Sequence, residues 1–195
     1  MKFFPVHWIR GKKGNVTTLW VAGLPAFILL LLGVSTIANA WMTHAVSQKA
    51  GDAASLAVTK ELDKRYRSVL NEKIQEIMQQ NENMGVQPGD PGYQDPSESI
   101  LGTDELKRRL LVFMMDRHRD DLKSVARAYA KKNGGGEHGK IILSRDGRVE
   151  VESHTPFQPS IFEEEFDEVT ITGSGRGPTR AYLKPLSKDP MVIDY

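Results

Sequence analysis

The residues best suited to chemistry in this 195-residue chain are five histidines, His7, His44, His118, His138 and His154. Only His118 lies in a dense run of acids, MMDRHRDD, with Asp116, Asp120 and Asp121. A hard metal or a general base could use such a set. The spacing matches no ligand motif such as HExxH, however, and charge runs usually mark solvated helix faces. The second candidate is Gly173-Ser174-Gly175-Arg176-Gly177. A phosphate cradle needs a strand before it and a helix N-terminus after it. Here Pro178 and a further extended segment follow, so the run is expected to be a flexible turn. No serine lies in a GxSxG elbow. The absence of cysteine excludes thiolate nucleophiles, cysteine-based zinc sites and disulfides. The sequence therefore predicts no catalytic residue, no metal site and no cofactor. A net charge of +1 with acids and bases mixed carries no nucleic-acid signature.

With no chemistry to position, the element that organises the chain is the uncharged run Val16–Ala40, VTTLWVAGLPAFILLLLGVSTIANA. Roughly 20 helical residues at about 1.5 Å each cross a bilayer core of about 30 Å. Leu24 and Phe27–Leu32 together favour insertion by about 3 kcal/mol. Pro25 and Gly23 are tolerated in a membrane helix. The run is expected to be a transmembrane helix in contact with membrane lipid. Residues 1–15 carry Lys2, Arg10, Lys12 and Lys13 and no acid, so they are expected to stay cytoplasmic, with everything after Ala40 outside the cell (inner) membrane. Trp8 and Trp20 are candidate headgroup anchors. Ala38-Asn39-Ala40 has the small-x-small form of a signal-peptidase site, so cleavage at Ala40 competes with an intact anchor.

Beyond the run, no proline occurs between Trp41 and Gln87. Val46, Ala50, Ala53 and Ala57, then Val58, Leu62, Tyr66, Val69, Ile74 and Ile77, recur at helical spacing. A membrane-proximal helix is predicted over 41–80. Its small residues Ala50, Gly51, Ala53, Ala54 and Ala57 either admit a neighbouring helix closely or simply favour helix formation. Residues 81–102, rich in Pro, Gly, Asn, Asp and Ser, read as a linker. The rest, 103–195, reads as an extracytoplasmic module of one helix with an antiparallel sheet, giving an α+β fold overall. Its helix starts at an N-cap Thr103, presents Leu106, Leu110, Phe113, Met114, Leu122, Val125 and Tyr129, and stops at Asn133-Gly134. Strands are expected around Ile141–Leu143 and Val149–Val151, joined by a two-residue turn at Asp146-Gly147, then at Glu168–Thr172 and Ala181–Leu183. Glu163-Glu164-Glu165 is expected on the surface, with Phe162 and Phe166 turned inward.

Gly14 to Leu62 resembles the N-terminal region of TadE/TadG-like proteins, pilin-like assembly components of bacterial Flp (tight-adherence) pili. The resemblance is carried by Arg10-Gly11 and Gly14-Asn15-Val16, by Leu24-Pro25, and above all by the block from Gln48 to Ala57. There Gln48, Ala50, Asp52, Ala53, Ala54, Leu56 and Ala57 follow the family's glutamine and A-x-D-A-A-x-L-A pattern. The resemblance implies a non-enzymatic minor pilin or pseudopilin in pilus biogenesis or cell adhesion. It would pack through its N-terminal helix against other pilus or secretion-system subunits or further copies of itself. It also implies prepilin-type cleavage after Gly14. The glutamate expected five residues on is Leu19 here, and after Gly11 it is Val16. TadG-like members remain anchored. The alternative from a different class is a membrane-tethered extracytoplasmic sensory or ligand-binding domain, with the helix as a mere stalk.

Overall fold

Leucine, alanine and other helix formers dominate from Val16 to Met84, and despite the interior Pro25 they form one continuous 69-residue helix, α1. A computed structural model describes residues 16–143, 146–159, 166, 168–188 and 190–195. Gly14, the basic flank 1–15, Phe162 and the acidic run 163–165 lie outside the described residues. Within α1, Leu19–Met84 is near the N-terminus and contains a stretch long and apolar enough to cross a membrane, no part of which is buried by the chain itself. The helix passes the expected stop at Gln80 by one turn. It ends where Gly85 takes a positive φ of 67°, open to glycine without strain.

The return from α1 is an ordered structure where a linker was expected. The buried Asn81 donates to Gln94 O at 2.8 Å and accepts from Gln94 N at 3.1 Å, closing the loop on itself. A six-residue helix, α2 (Pro96–Leu101), follows, with Asp95 as N-cap and Pro96 in its first turn. Six residues are too few for a periodic signal, which is why composition alone reads as loop.

Helix α3 (Asp104–Lys132) begins as expected, with the Thr103 hydroxyl accepting from Leu106 N at 3.2 Å, and Gly134 follows it at φ 84°. It runs antiparallel to α1: Arg117 pairs with Glu72 at 2.8 Å, Arg65 with Asp121 at 3.2 Å, and Gly134 lies against Val46. His118 breaks the helical geometry at φ −118°, ψ 19°. The buried stripe is Leu110, Leu111, Met114 and Met115 before that kink and Leu122, Ala126 and Ala130 after it. The stripe keeps its register across the kink, and Phe113 and Tyr129, expected inside, lie beside it and are 43% and 46% exposed.

Four antiparallel strands complete the α+β fold: β1 (Gly139–Leu143), β2 (Val149–Pro156), β3 (Thr170–Arg176) and β4 (Met191–Asp194), in the order β3-β2-β1-β4. Leu143 faces Val149 across the first hairpin, so its loop is 144–148 rather than two residues, with Gly147 at φ 77°. Two expectations are corrected. The glycine run 173–177 is no turn; β3 passes through it up to Arg176. Ala181–Leu183 is no strand; Ala181–Lys188 is a 3-10 helix, and the last strand is β4, beside β1.

The sheet packs on one side of α1 and α3 on another. The buried Ala50, Ala54, Val58, Leu62 and Val69 of α1 belong to the same core as Leu111, Met114, Ile141, Val151 and Leu183. Residues 47–69 are thus the spine of the module itself.

Candidate interaction surface of the long helix

Two periodicities meet where α1 crosses the sheet. Ser47, Gly51, Ser55 and Thr59 recur every fourth residue, one face of a helix, while Gly173, Gly175 and Gly177 recur every second, one face of a strand. Both rows are buried. A Cβ on Gly51 would stand 2.7 Å from Gly175 N and 2.9 Å from Val151 O. A Cβ on Gly173 would run into Gln48 N and one on Gly175 into Asp52 N. Helix backbone and strand backbone therefore touch directly, which only glycine permits. Ser47 pins the lower end, its hydroxyl donating to Ser153 O at 2.7 Å and Ile171 O at 3.1 Å.

A polar clasp fixes the same helix one turn higher. Arg180 grips Asp63 with two nitrogens, Nε to Oδ1 at 2.8 Å and Nη2 to Oδ2 at 2.7 Å. The Tyr182 hydroxyl donates to Asp63 Oδ1 at 2.8 Å, and its ring stacks on Tyr66 at 4.2 Å. Partial burial raises the Asp63 pKa, but the hydrogen bonds from Arg180 and Tyr182 and the guanidinium charge outweigh it, and the carboxyl titrates below its ordinary range. Burial, and then the hydrogen bond to the Asp63 carboxylate, raise the Tyr182 phenol, so it stays protonated. Burial likewise pushes Tyr195 up to about 12.

The residues of the Gln48–Ala57 block separate into three groups. Ala50 and Ala54 are fully buried against the chain's own module. Ala53 and Ala57 are half-buried. Gln48, Asp52 and Leu56 face solvent, Leu56 with 61% of its surface. Close approach by small residues is thus already used inside the chain, and the face left open on this part of α1 carries Lys49, Asp52, Leu56 and Lys60. Ala40, at the small-x-small site, is half-buried within uninterrupted helix.

The chemistry-bearing residues do not converge. His118 Nδ1 lies 3.1 Å from Asp121 Oδ2, which also binds Arg65, so this histidine belongs to an interhelical ion network. Asp116 and Asp120 are exposed. His154 meets Thr172 across β2 and β3 at 3.0 Å, and His44 is exposed. Among the described residues, no group of three or more histidines and acids is placed to hold a metal ion.

No family model, no curated protein and no solved structure matches the chain. The case for a function therefore rests on its own geometry.

The apolar first part of the helix is bare. Leu19, Trp20, Val21, Leu24, Phe27, Ile28 and Leu29–Leu31 are each about half exposed or more. So many apolar side chains in contact with nothing exceed the few hundred Å² that soluble surfaces usually show. The Ser47 hydroxyl and the glycine ladder could have been found from the sequence, as matching four-residue and two-residue repeats of small residues. The Asp63–Arg180 clasp could not, since its partners are 117 residues apart.

Proposed function

We propose that the chain is a non-enzymatic, single-pass membrane protein, a pilin-like component of Flp/Tad-type pilus assembly or adhesion. Its N-terminus is cytoplasmic and its α+β module extracytoplasmic. The observation that carries this reading is α1 itself: its first half is apolar and bare, and its second half is the spine of the folded module. The bare half needs lipid or like helices around it, because water leaves its apolar surface unpaid. The basic flank Lys2, Arg10, Lys12 and Lys13 supports the orientation. The family likeness of Gln48–Ala57 supports the pilus context, with membrane lipid, other pilus or secretion-system subunits and further copies as partners. A separate sensory domain on a passive stalk is less well supported, because Ala50, Ala54, Val58, Leu62 and Val69 of the helix are part of the module's own core.

The test is made on membranes of the native host. The protein should resist carbonate extraction, keep an intact mass (or lose only residues 1–14), and co-isolate with pilus-assembly subunits. Loss of everything through Ala40 refutes the anchor. Resistance to extraction together with co-isolation of a kinase or transporter refutes the pilus assignment and leaves the tethered sensor.

A further inference from the structure

Both edges of the sheet are open. Gly177 N donates to Val149 O and Phe157 N to Val169 O, so the odd-numbered residues of β3 bond to β2. The N–H and C=O groups of Thr172, Ser174 and Arg176 therefore point outward from the sheet. At the other edge Gly139 and Tyr195 exchange both main-chain bonds, which leaves the groups of Val192 and Asp194 pointing outward from β4. Among the described residues, no main-chain hydrogen bond reaches these outward groups. Neither strand contains a proline or lysine, the residues that commonly blunt an edge.

The two edges run in opposite directions. Gly173 abuts Ser47 and Gln48, and Gly175 abuts Gly51 and Asp52, so β3 climbs with α1, two strand residues to four of helix. It follows that β2 descends, β1 climbs and β4 descends. On the membrane reading above, on which this inference rests, every copy of α1 points the same way. An antiparallel pair of two β3 strands, or of two β4 strands, would turn one anchor upside down. The antiparallel pair that keeps both anchors upright is β4 of one copy against β3 of the next.

We propose that copies of this chain join edge to edge in the membrane, β4 on β3, and extend one sheet from module to module. The rows of the sheet set the register. Asp194, Lys140, Glu152 and Ser174 form one row of the exposed face, and Val192, Ile142, Glu150 and Arg176 the next. Anchors in one bilayer hold the copies at one height, so each row continues into the next copy. Asp194 of the next copy then faces Ser174, and its Val192 faces Arg176. Outward groups meet outward groups, with about four main-chain bonds. Arg176, already paired with Glu150 at 3.2 Å, gains Asp194 of the next copy as a diagonal neighbour within reach of a long side chain. On the other face Gly175 has no side chain to obstruct Ile193 of the next copy. Helix α1 lies over β3 and β2, and α3 reaches β1 and β4, so the next α3 comes beside α1 at about two strand spacings, roughly 10 Å, the distance of packed helices. Gly134 lies against Val46, which puts Arg127 and Lys131, the latter paired with Glu137, near the level of the exposed Asp52. Confinement in the membrane supplies the concentration that so short a ladder needs. The joint is head-to-tail, so it builds a ring or a filament rather than a closed pair.

The chain has no cysteine, so introduced ones act alone. Within one copy Ser174 and Asp194 are three strand spacings apart, about 14 Å, beyond the span of a disulfide. Across the proposed joint their Cα atoms are about 5.5 Å apart, within it. The full-length double variant Ser174→Cys/Asp194→Cys is expressed in native-host membranes and oxidised with copper phenanthroline. The expected result is a ladder of dimers, trimers and higher species, several-fold above either single variant, in membranes that resist carbonate. Val192→Lys added to the double variant sets like charges opposite each other at Arg176; it should leave the melt unchanged and weaken the ladder several-fold. Cross-linking no stronger in the double variant than in the single ones, with the protein still carbonate-resistant, overturns the joint and leaves the membrane reading intact. Dimers formed by Ser174→Cys alone assign β3 to a two-fold pair and overturn it too, as does a ladder that Val192→Lys leaves unchanged. Release of the chain by carbonate overturns the membrane reading and the proposal with it.

Discussion

The contact between the strand glycines and the small face of α1 makes a quantitative prediction for Gly175→Ala. The new Cβ would collide with Asp52 N, Gly51 C and Asp52 Cα, all main-chain atoms of a helix. No rotamer change relieves such a clash, so the sheet must lift from the helix along the row that Ser47 and Gly177 also hold. Overpacking of this kind costs about 1–3 kcal/mol, occasionally more. The loss of unfolded-state freedom offsets about 0.4–1 kcal/mol of it. The net is a destabilisation of about 1–2 kcal/mol. For a folded unit of this size a change of 1 kcal/mol moves Tm by about 2–4 °C, so the variant should melt about 2–8 °C lower. Gly33→Ala is the control, because nothing lies within 4 Å of a Cβ there. Both variants are melted as full chains in the same detergent, followed by near-UV circular dichroism. The reasoning is refuted if Gly175→Ala melts within about 1 °C of wild type, a shift too small for the overpacking term. It is equally refuted if Gly33→Ala falls as far.

The remaining predictions address the clasp, the open face and the shared core. Asp63→Asn should lower stability at neutral pH by about 1–3 kcal/mol, because Arg180 loses its charged partner and the bidentate grip. The folded Asp63 carboxyl titrates below its ordinary value of 3.8, so its contribution is complete above that value and lost as the pH falls through the depressed folded pKa. The gap in Tm between wild type and Asp63→Asn should accordingly close below that point, and a constant gap across the acid range would contradict the assignment. Leu56→Lys should leave the melt unchanged, within about 0.5 kcal/mol as for other exposed sites. On the assembly reading the same variant should reduce co-isolation with partner subunits, whereas Ala54→Leu should unfold the module. A fragment of residues 47–195 should give a cooperative melt in aqueous buffer, and one of residues 103–195 should not, as judged by circular dichroism and proteolysis.

What the sequence revealed follows from the range of each interaction. The apolar stretch, the Thr103 cap, the Gly134 stop and the alternation of Val149 and Val151 are local signals; the first is helix long and apolar enough to cross a membrane, and the others became the caps and strand expected. The strand through Gly173–Gly177 was misread because glycine is depleted in strands on average. What places it there is the approach of another backbone, a contact between residues more than 120 apart. Ala181–Leu183 failed in the opposite way: a short run in which only Tyr182 favours strands is held as a 3-10 turn. Tyr182 there must reach Asp63, and the buried Leu183 and Leu186 must reach the core. The candidate surface was half legible. The exposed Leu56 and the buried Ala54 lie two positions apart in one motif, and only the position of the sheet decides which of them a partner can touch.

That division bears on how such a protein could work. If small residues on α1 were free, a neighbouring helix could approach anywhere along the module, and the anchor and the folded part could act independently. Instead Ala50, Gly51, Ala54 and Ser55 are covered by the chain's own sheet, and Asp63 is gripped from the 3-10 helix side. Between Val16 and Lys60, α1 leaves two surfaces open: the apolar stretch before Ser47 and the narrow face of Lys49, Asp52, Leu56 and Lys60 after it. These are continuous along one helix. On the membrane reading, a force applied to the module passes through main-chain contact into the apolar stretch, since α1 has no proline between Ala26 and Met84 and the one interior proline, Pro25, lies deep in that stretch. A sensor that signals by moving relative to its anchor would need the opposite design. A component that transmits load, or that fixes the angle at which its neighbours leave the membrane, needs this one.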